Sequence, residues 1–155
     1  MGLLSPSLLA SAFRLPAPNF QKLILTGLGH ATKPAEVLSA DILSGGAPKL
    51  RYLELRDVYQ PPEPIASYSR VDSVRLKYTD LYPNVAFAQH FPQMRRLFLE
   101  FDTHTQHPAP MSVNLAGLHL QQLAVEDSHD CDIMPAILRS IKLDEIHTML
   151  RTRSA

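Results

Sequence analysis

The chain has 155 residues, 45% of them hydrophobic and 19% charged, with 15 basic residues against 15 acidic ones. Such a length and composition suit one cored domain spanning 1–155 and exclude a disordered chain, and formal neutrality removes any global electrostatic case for binding nucleic acid or an anionic membrane. Cys131 stands alone, which rules out an internal disulfide framework and fits an intracellular setting, cytoplasmic or nuclear. No run reaches the roughly 18 apolar residues of a membrane span.

Taken in chain order, residues 5–13 read as a short helix and Phe20, Leu23 and Leu25 as the apolar side of a first strand. Residues 34–46 read as a helix: Pro34 suits a first turn, Val37, Leu38 and Ile42 form a stripe, and Gly45-Gly46 suits an exit. A second strand follows at Leu50, Leu53 and Leu55, an irregular proline-bearing connection at 61–69, and a third strand at Val71, Val74 and Leu76. Residues 83–90 supply another short helix before the fourth strand at Met94, Leu97 and Leu99. After an irregular 103–114 connection come Leu120, Leu123 and Val125, then Leu138, Ile141 and Leu143, with 146–150 as a closing helical turn.

All six strand segments share one pattern, apolar-x-x-apolar-x-apolar, recurring at steps of roughly 18 to 30 residues with a mean of about 24. That spacing is similar to leucine-rich repeats. Each copy points its fourth and sixth positions one way and its third and fifth the other. A single such strand cannot bury its apolar side, whereas several stacked in parallel build a continuous core. The predicted fold class is α/β: a short open leucine-rich-repeat solenoid with one curved parallel sheet of about six strands. Short helices or irregular segments occupy its convex side. Pro18, Pro48 and Pro92 each lie within two residues of a strand's first apolar position and predict one repeated corner. No polar capping unit marks either end, so the chain reads as part of a longer array or a truncation of one.

The corners, as in Pro48-Lys-Leu-Arg-Tyr-Leu-Glu-Leu-Arg-Asp57, and segments such as Ile42-Leu-Ser-Gly-Gly-Ala-Pro48 resemble the irregular leucine-rich-repeat region of F-box proteins from mushroom-forming fungi. The resemblance covers about residues 5–146. It implies the substrate-recognition portion of a cullin-type ubiquitin ligase. A ligase adaptor would be a partner only through an F-box upstream of the repeats, and the 19 residues before the first copy hold none.

On a solenoid the concave strand face is where partners bind. Parity places Tyr52, Glu54, Arg75, Arg96, Phe98 and Gln122 at its centre, with Lys77 and Glu100 extending the rows. Aromatic and arginine side chains dominate interface hot spots, so these six are the candidate partner-binding residues. The expected partner is a protein or peptide with an acidic segment. Asp127-Ser-His-Asp-Cys-Asp132 and His104/His107 carry metal-ligand residue types without any ligand frame, and read as solvated loops. Gly27-Leu-Gly29 lacks the third glycine of a dinucleotide loop and reads as a turn. Acidic neighbours disfavour a Cys131 thiolate. The sequence predicts no catalytic residue, cofactor or metal.

Overall fold

The computed structural model describes residues 14–27, 36–44, 46–78, 87–101, 115, 117–127, 146 and 148–153. Six strands form one parallel sheet: β1 (Lys22–Thr26), β3 (Tyr52–Arg56), β5 (Ser73–Tyr78), β6 (Arg96–Phe101), β7 (Gln122–Asp127) and β8 (Thr148–Arg153), hydrogen-bonded in that order. Each strand pairs with the one before it among them, so every connection crosses over the same sheet to the next position. A second sheet of two residues per strand pairs β2 (Glu36–Val37) with β4 (Val58–Tyr59), also in parallel. One α-helix, α1 (Phe87–His90), and a 3-10 turn at Ala66–Tyr68 complete the described elements. Among the described residues no helix is long and apolar enough to cross a membrane.

Register follows the repeated pattern. Leu23, Leu53, Val74, Leu97, Leu123 and Met149 are aligned across the sheet, and so are Leu25, Leu55, Leu76, Leu99, Val125 and Arg151. From β3 to β7 the apolar members of both rows are buried, as are Leu50, Val71, Met94 and Leu120 in the first position of each pattern. The crossovers supply the other side of the core with Ile42, Ala47, Ile65, Tyr68, Phe87, Phe91, Leu115 and Leu118. Each fully buried leucine contributes about 1.5–3 kcal/mol relative to exposure, so the stacked rows are the main stabilising element.

The repeated corner is a four-residue turn. The amide of Phe20 donates to Ala17 (3.1 Å), that of Leu50 to Ala47 (3.0 Å) and that of Met94 to Phe91 (3.0 Å). Pro18, Pro48 and Pro92 therefore sit at the second turn position, where a fixed φ near −65° is already correct and no amide is needed. A fourth corner of the same kind joins Val71 to Tyr68 (3.0 Å), with Ser69 in place of proline at φ −57° and ψ −22°.

Two expectations are corrected. Within the helix expected over 34–46, the described residues 36–44 are not helical: 36–37 are β2, and 40–44 are successive turns closed by Ile42 to Ser39, Ser44 to Asp41 and Gly46 to Leu43 bonds. The Ser39 hydroxyl accepts the Asp41 amide (3.3 Å), and Leu43 adopts φ 54°, so local bonds and a left-handed residue replace helical continuation. Nor is 146–150 a closing helix, because Thr148–Leu150 lie within β8, which takes the place beside β7. Ile146, Met149 and Arg151 keep the pattern's spacing about 26 residues after the β7 copy. The arginine in the last apolar position hid this copy. The expected sixth copy at 138–143 and the expected helix at 5–13 lie outside the described residues, as do 83–86 of the expected 83–90 helix, whose last turn is α1.

Where β1 ends, Gly27 donates to the Arg56 carbonyl (2.8 Å) and lies so close to the Asp57 carbonyl that any Cβ there would collide with it. This close approach of two backbones is the reason for glycine at 27.

Candidate functional site

At the entrances of β3, β5, β6 and β7 one carbonyl accepts two successive amides. Arg51 and Tyr52 both donate to Gln21 (3.0 and 3.1 Å), Asp72 and Ser73 to Arg51 (3.0 and 3.1 Å), Arg95 and Arg96 to Asp72 (2.9 and 3.0 Å), and Gln121 and Gln122 to Arg95 (2.8 and 3.0 Å). This shared acceptor accommodates the two residues between the first and second apolar positions and places both away from the core. Beyond it, strict alternation resumes. The open face therefore carries aligned rows. Lys22, Tyr52, Ser73, Arg96, Gln122 and Thr148 form one, and Ile24, Glu54, Arg75, Phe98 and Ala124 the next. Thr26, Arg56, Lys77, Glu100 and Glu126 follow.

Side chains two apart on β3 meet on this face. The Tyr52 hydroxyl donates to Glu54 Oε2 (2.9 Å), and Arg56 Nε donates to Glu54 Oε1 (2.7 Å). Lys22 Nζ lies 4.6 Å from the Tyr52 ring centre. On the neighbouring strands, Arg75 donates to Glu100 Oε2 (3.0 Å) while its guanidinium stacks 4.3 Å from the Phe98 ring centre. Lys77 Nζ reaches the other Glu100 oxygen at 2.5 Å. Arg96 donates to Asp72 Oδ1 (3.0 Å), yet its side chain is 59% exposed. The cation–π contacts contribute about 0.5–1 kcal/mol each and position the cations as much as they stabilise them.

These contacts set the charge states. Burial raises the Glu54 and Glu100 carboxyls, but hydrogen bonds from Arg56 and Tyr52 to the first, and from Lys77 and Arg75 to the second, outweigh it and leave both lowered. The Arg75 guanidinium is raised by its hydrogen bond to Glu100, and the Tyr52 phenol is raised by burial and then by Glu54. At neutral pH the face thus holds ionised Glu54 and Glu100, a charged Arg75 and a neutral, donating Tyr52.

A pH dependence follows. A carboxyl lowered in the folded state adds stability that is fully present above its unfolded value and is lost as pH falls through the folded one. Between about pH 7 and about pH 3 the thermal midpoint should fall, and the Glu54→Gln/Glu100→Gln variant should show a smaller fall. An equal fall in both proteins, followed by circular dichroism, would mean that these carboxylates do not set the acid limb.

Five of the six residues expected at the site, Tyr52, Arg75, Arg96, Phe98 and Gln122, line one shallow depression of about 350 Å³. Glu54 belongs to the same rows but not to that lining; at 4% exposure it is held by Tyr52 and Arg56. Arg51 and Asp72 also line the depression, and strand parity alone did not find them. Their signal was the step of three between the first two apolar positions, which leaves two outward residues between them instead of one.

Among the described residues no group of three His, Cys, Asp or Glu is placed to hold a metal ion. Residues 128–132, including Cys131, and His104 and His107 lie outside the described residues. No family model, curated protein or solved structure matches this chain.

Proposed function

We propose that this chain is a non-catalytic recognition module, a short leucine-rich-repeat solenoid that takes a protein or peptide partner on its concave sheet face. The chain-order stacking of parallel strands, with one corner reused at four entrances, supports the repeat reading. The observation that carries the functional reading is the depression on the open face, where Arg75 is held against Phe98 and Arg96 and Gln122 stay exposed. Arginine and aromatic groups already fixed by neighbours lose little side-chain freedom on binding, which favours affinity.

The test is selection of binders from a random peptide library on the intact chain. Selected peptides should lose about tenfold or more in affinity for Phe98→Ala and Gln122→Ala, a loss of about 1.4 kcal/mol or more, with Gln122→Ala leaving the thermal midpoint unchanged. Peptides that bind both variants as well as the parent would remove the face from consideration.

The proline corners favour a second use of the same face, as the substrate-receptor portion of an F-box-type cullin ubiquitin ligase. Adaptor binding by a product that carries an F-box joined to these repeats, and none by residues 1–155 alone, is the outcome that reading expects.

A further inference from the structure

We propose that the depression is a subsite for acidic side chains of an extended peptide, with Asp72 as a built-in competitor for Arg96. This rests on the recognition reading above and adds the chemistry of the ligand. The charged residues lining the depression are Arg51, Arg75 and Arg96 against one carboxylate, Asp72. Arg75 is fixed by Glu100 and Phe98, so it contributes positive potential and little new bonding.

Arg51 and Arg96 differ from it. Arg51 uses Nη1 on the backbone carbonyls of Pro48 and Leu50 (3.2 and 3.1 Å) and makes no ion pair among the described residues. Among the described residues the Arg96 side chain has one hydrogen-bond partner, Asp72 at 3.0 Å. A guanidinium has five donors, so both retain capacity for a carboxylate.

The face is also polarised along the strands. Its strand-entrance half carries these arginines, whereas its exit half pairs Arg56 with Glu54 and Lys77 with Glu100, beside Glu126. Anionic groups are therefore favoured at the entrance half only.

Spacing narrows the ligand further. Arg51 enters β3 and Arg96 opens β6, two strand steps apart, or about 10 Å. In polyproline-type backbone every third residue returns to one side after about 9 Å. A peptide with an acidic residue at every third position can thus address both arginines. Asp72 already holds Arg96 at 3.0 Å, so a ligand carboxylate at Arg96 must compete with it.

The test uses a labelled peptide of Glu-Pro-Pro repeats, which holds the extended polyproline backbone, and the intact chain, followed by fluorescence anisotropy, with Lys-Pro-Pro repeats and oligothymidylate as comparators. The Glu-Pro-Pro peptide should bind, and bind more weakly as salt rises. Arg51→Gln with Arg96→Gln should weaken it about tenfold. Asp72→Asn should tighten it about threefold, a gain that an unfolded variant does not produce. Tighter binding of either comparator, no binding of Glu-Pro-Pro, or weaker binding by Asp72→Asn would overturn the assignment. If Glu-Pro-Pro fails while library-selected peptides still depend on Phe98 and Gln122, the recognition reading stands and only the acidic subsite falls. If neither class depends on the face, both fall together.

Discussion

Leu76→Ala should lower stability by about 3 kcal/mol, within the roughly 2–5 kcal/mol range for emptying a fully buried leucine site. Leu76 is 0% exposed on β5 and lies between Leu55 and Leu99 in register, so its removal opens a gap in the middle of a continuous apolar row. Backbone on either side is pinned by the sheet ladder, which limits collapse into the gap and puts the cost well above that of lost transfer alone. Leu15→Ala is the matched comparison: at 66% exposure it should change stability by about 0.5 kcal/mol or less. Urea unfolding of the two variants tests the contrast. Similar losses would mean that the aligned rows are not the stabilising core.

The second large effect has the opposite sign. Gln60 is 3% exposed, and among the described residues neither carboxamide atom has a hydrogen-bond partner. A buried polar group without a partner costs about 1–3 kcal/mol, and Gln60→Leu removes two such groups with little change of volume. The variant should be more stable by about 2 kcal/mol. Tyr68 provides an independent check. Its hydroxyl likewise has no partner among the described residues and its ring stacks on Phe91 with centres 5.6 Å apart, so Tyr68→Phe keeps the packing and should gain about 1 kcal/mol. Loss of stability in both variants would show that these groups are satisfied in solution.

Much of the sheet was legible because its grammar is local. The patterns around Leu23, Leu53, Val74, Leu97 and Leu123 each encode a strand through alternation, and the alignment of successive copies carries those strands into one parallel sheet. The crossovers lack that redundancy. Residues 36–44 have helical periodicity, but pairing of β2 with β4 and the Ser39 side-chain bond decide their backbone, and both depend on context that periodicity does not contain. The last strand was obscured by Arg151, a charged residue in a position the pattern fills with an apolar one, although its backbone pairs in register with Val125.

The candidate site was legible as far as parity reaches. Tyr52, Arg75, Arg96, Phe98 and Gln122 converge as expected, because residues in matching positions of parallel strands must share a row. Parity could not say that Glu54 would be claimed by Tyr52 and Arg56, since that depends on side-chain reach across and along strands. Nor could it say that Arg75 would be committed to Glu100 and Phe98. For the same reason Arg75→Glu would set a third carboxylate beside Glu54 and Glu100 and disturb folding, whereas Arg96, being mostly exposed, is the cleaner probe of binding.

The doubled amide at each strand entrance has a consequence for how such a chain tolerates change. β3, β5, β6 and β7 each meet the preceding strand of the main sheet through two consecutive donors on a single carbonyl, a mark that occurs once per strand and in the same place on all four. It works as an indexing notch. Sliding a strand by one residue forfeits the notch and turns its apolar side outward, so a strand either seats correctly or not at all. Crossovers can then lengthen or shorten freely, as their unequal lengths already show, while the outward mosaic stays in step. Residues of the binding face can be exchanged one strand at a time without rewriting the rest of the molecule.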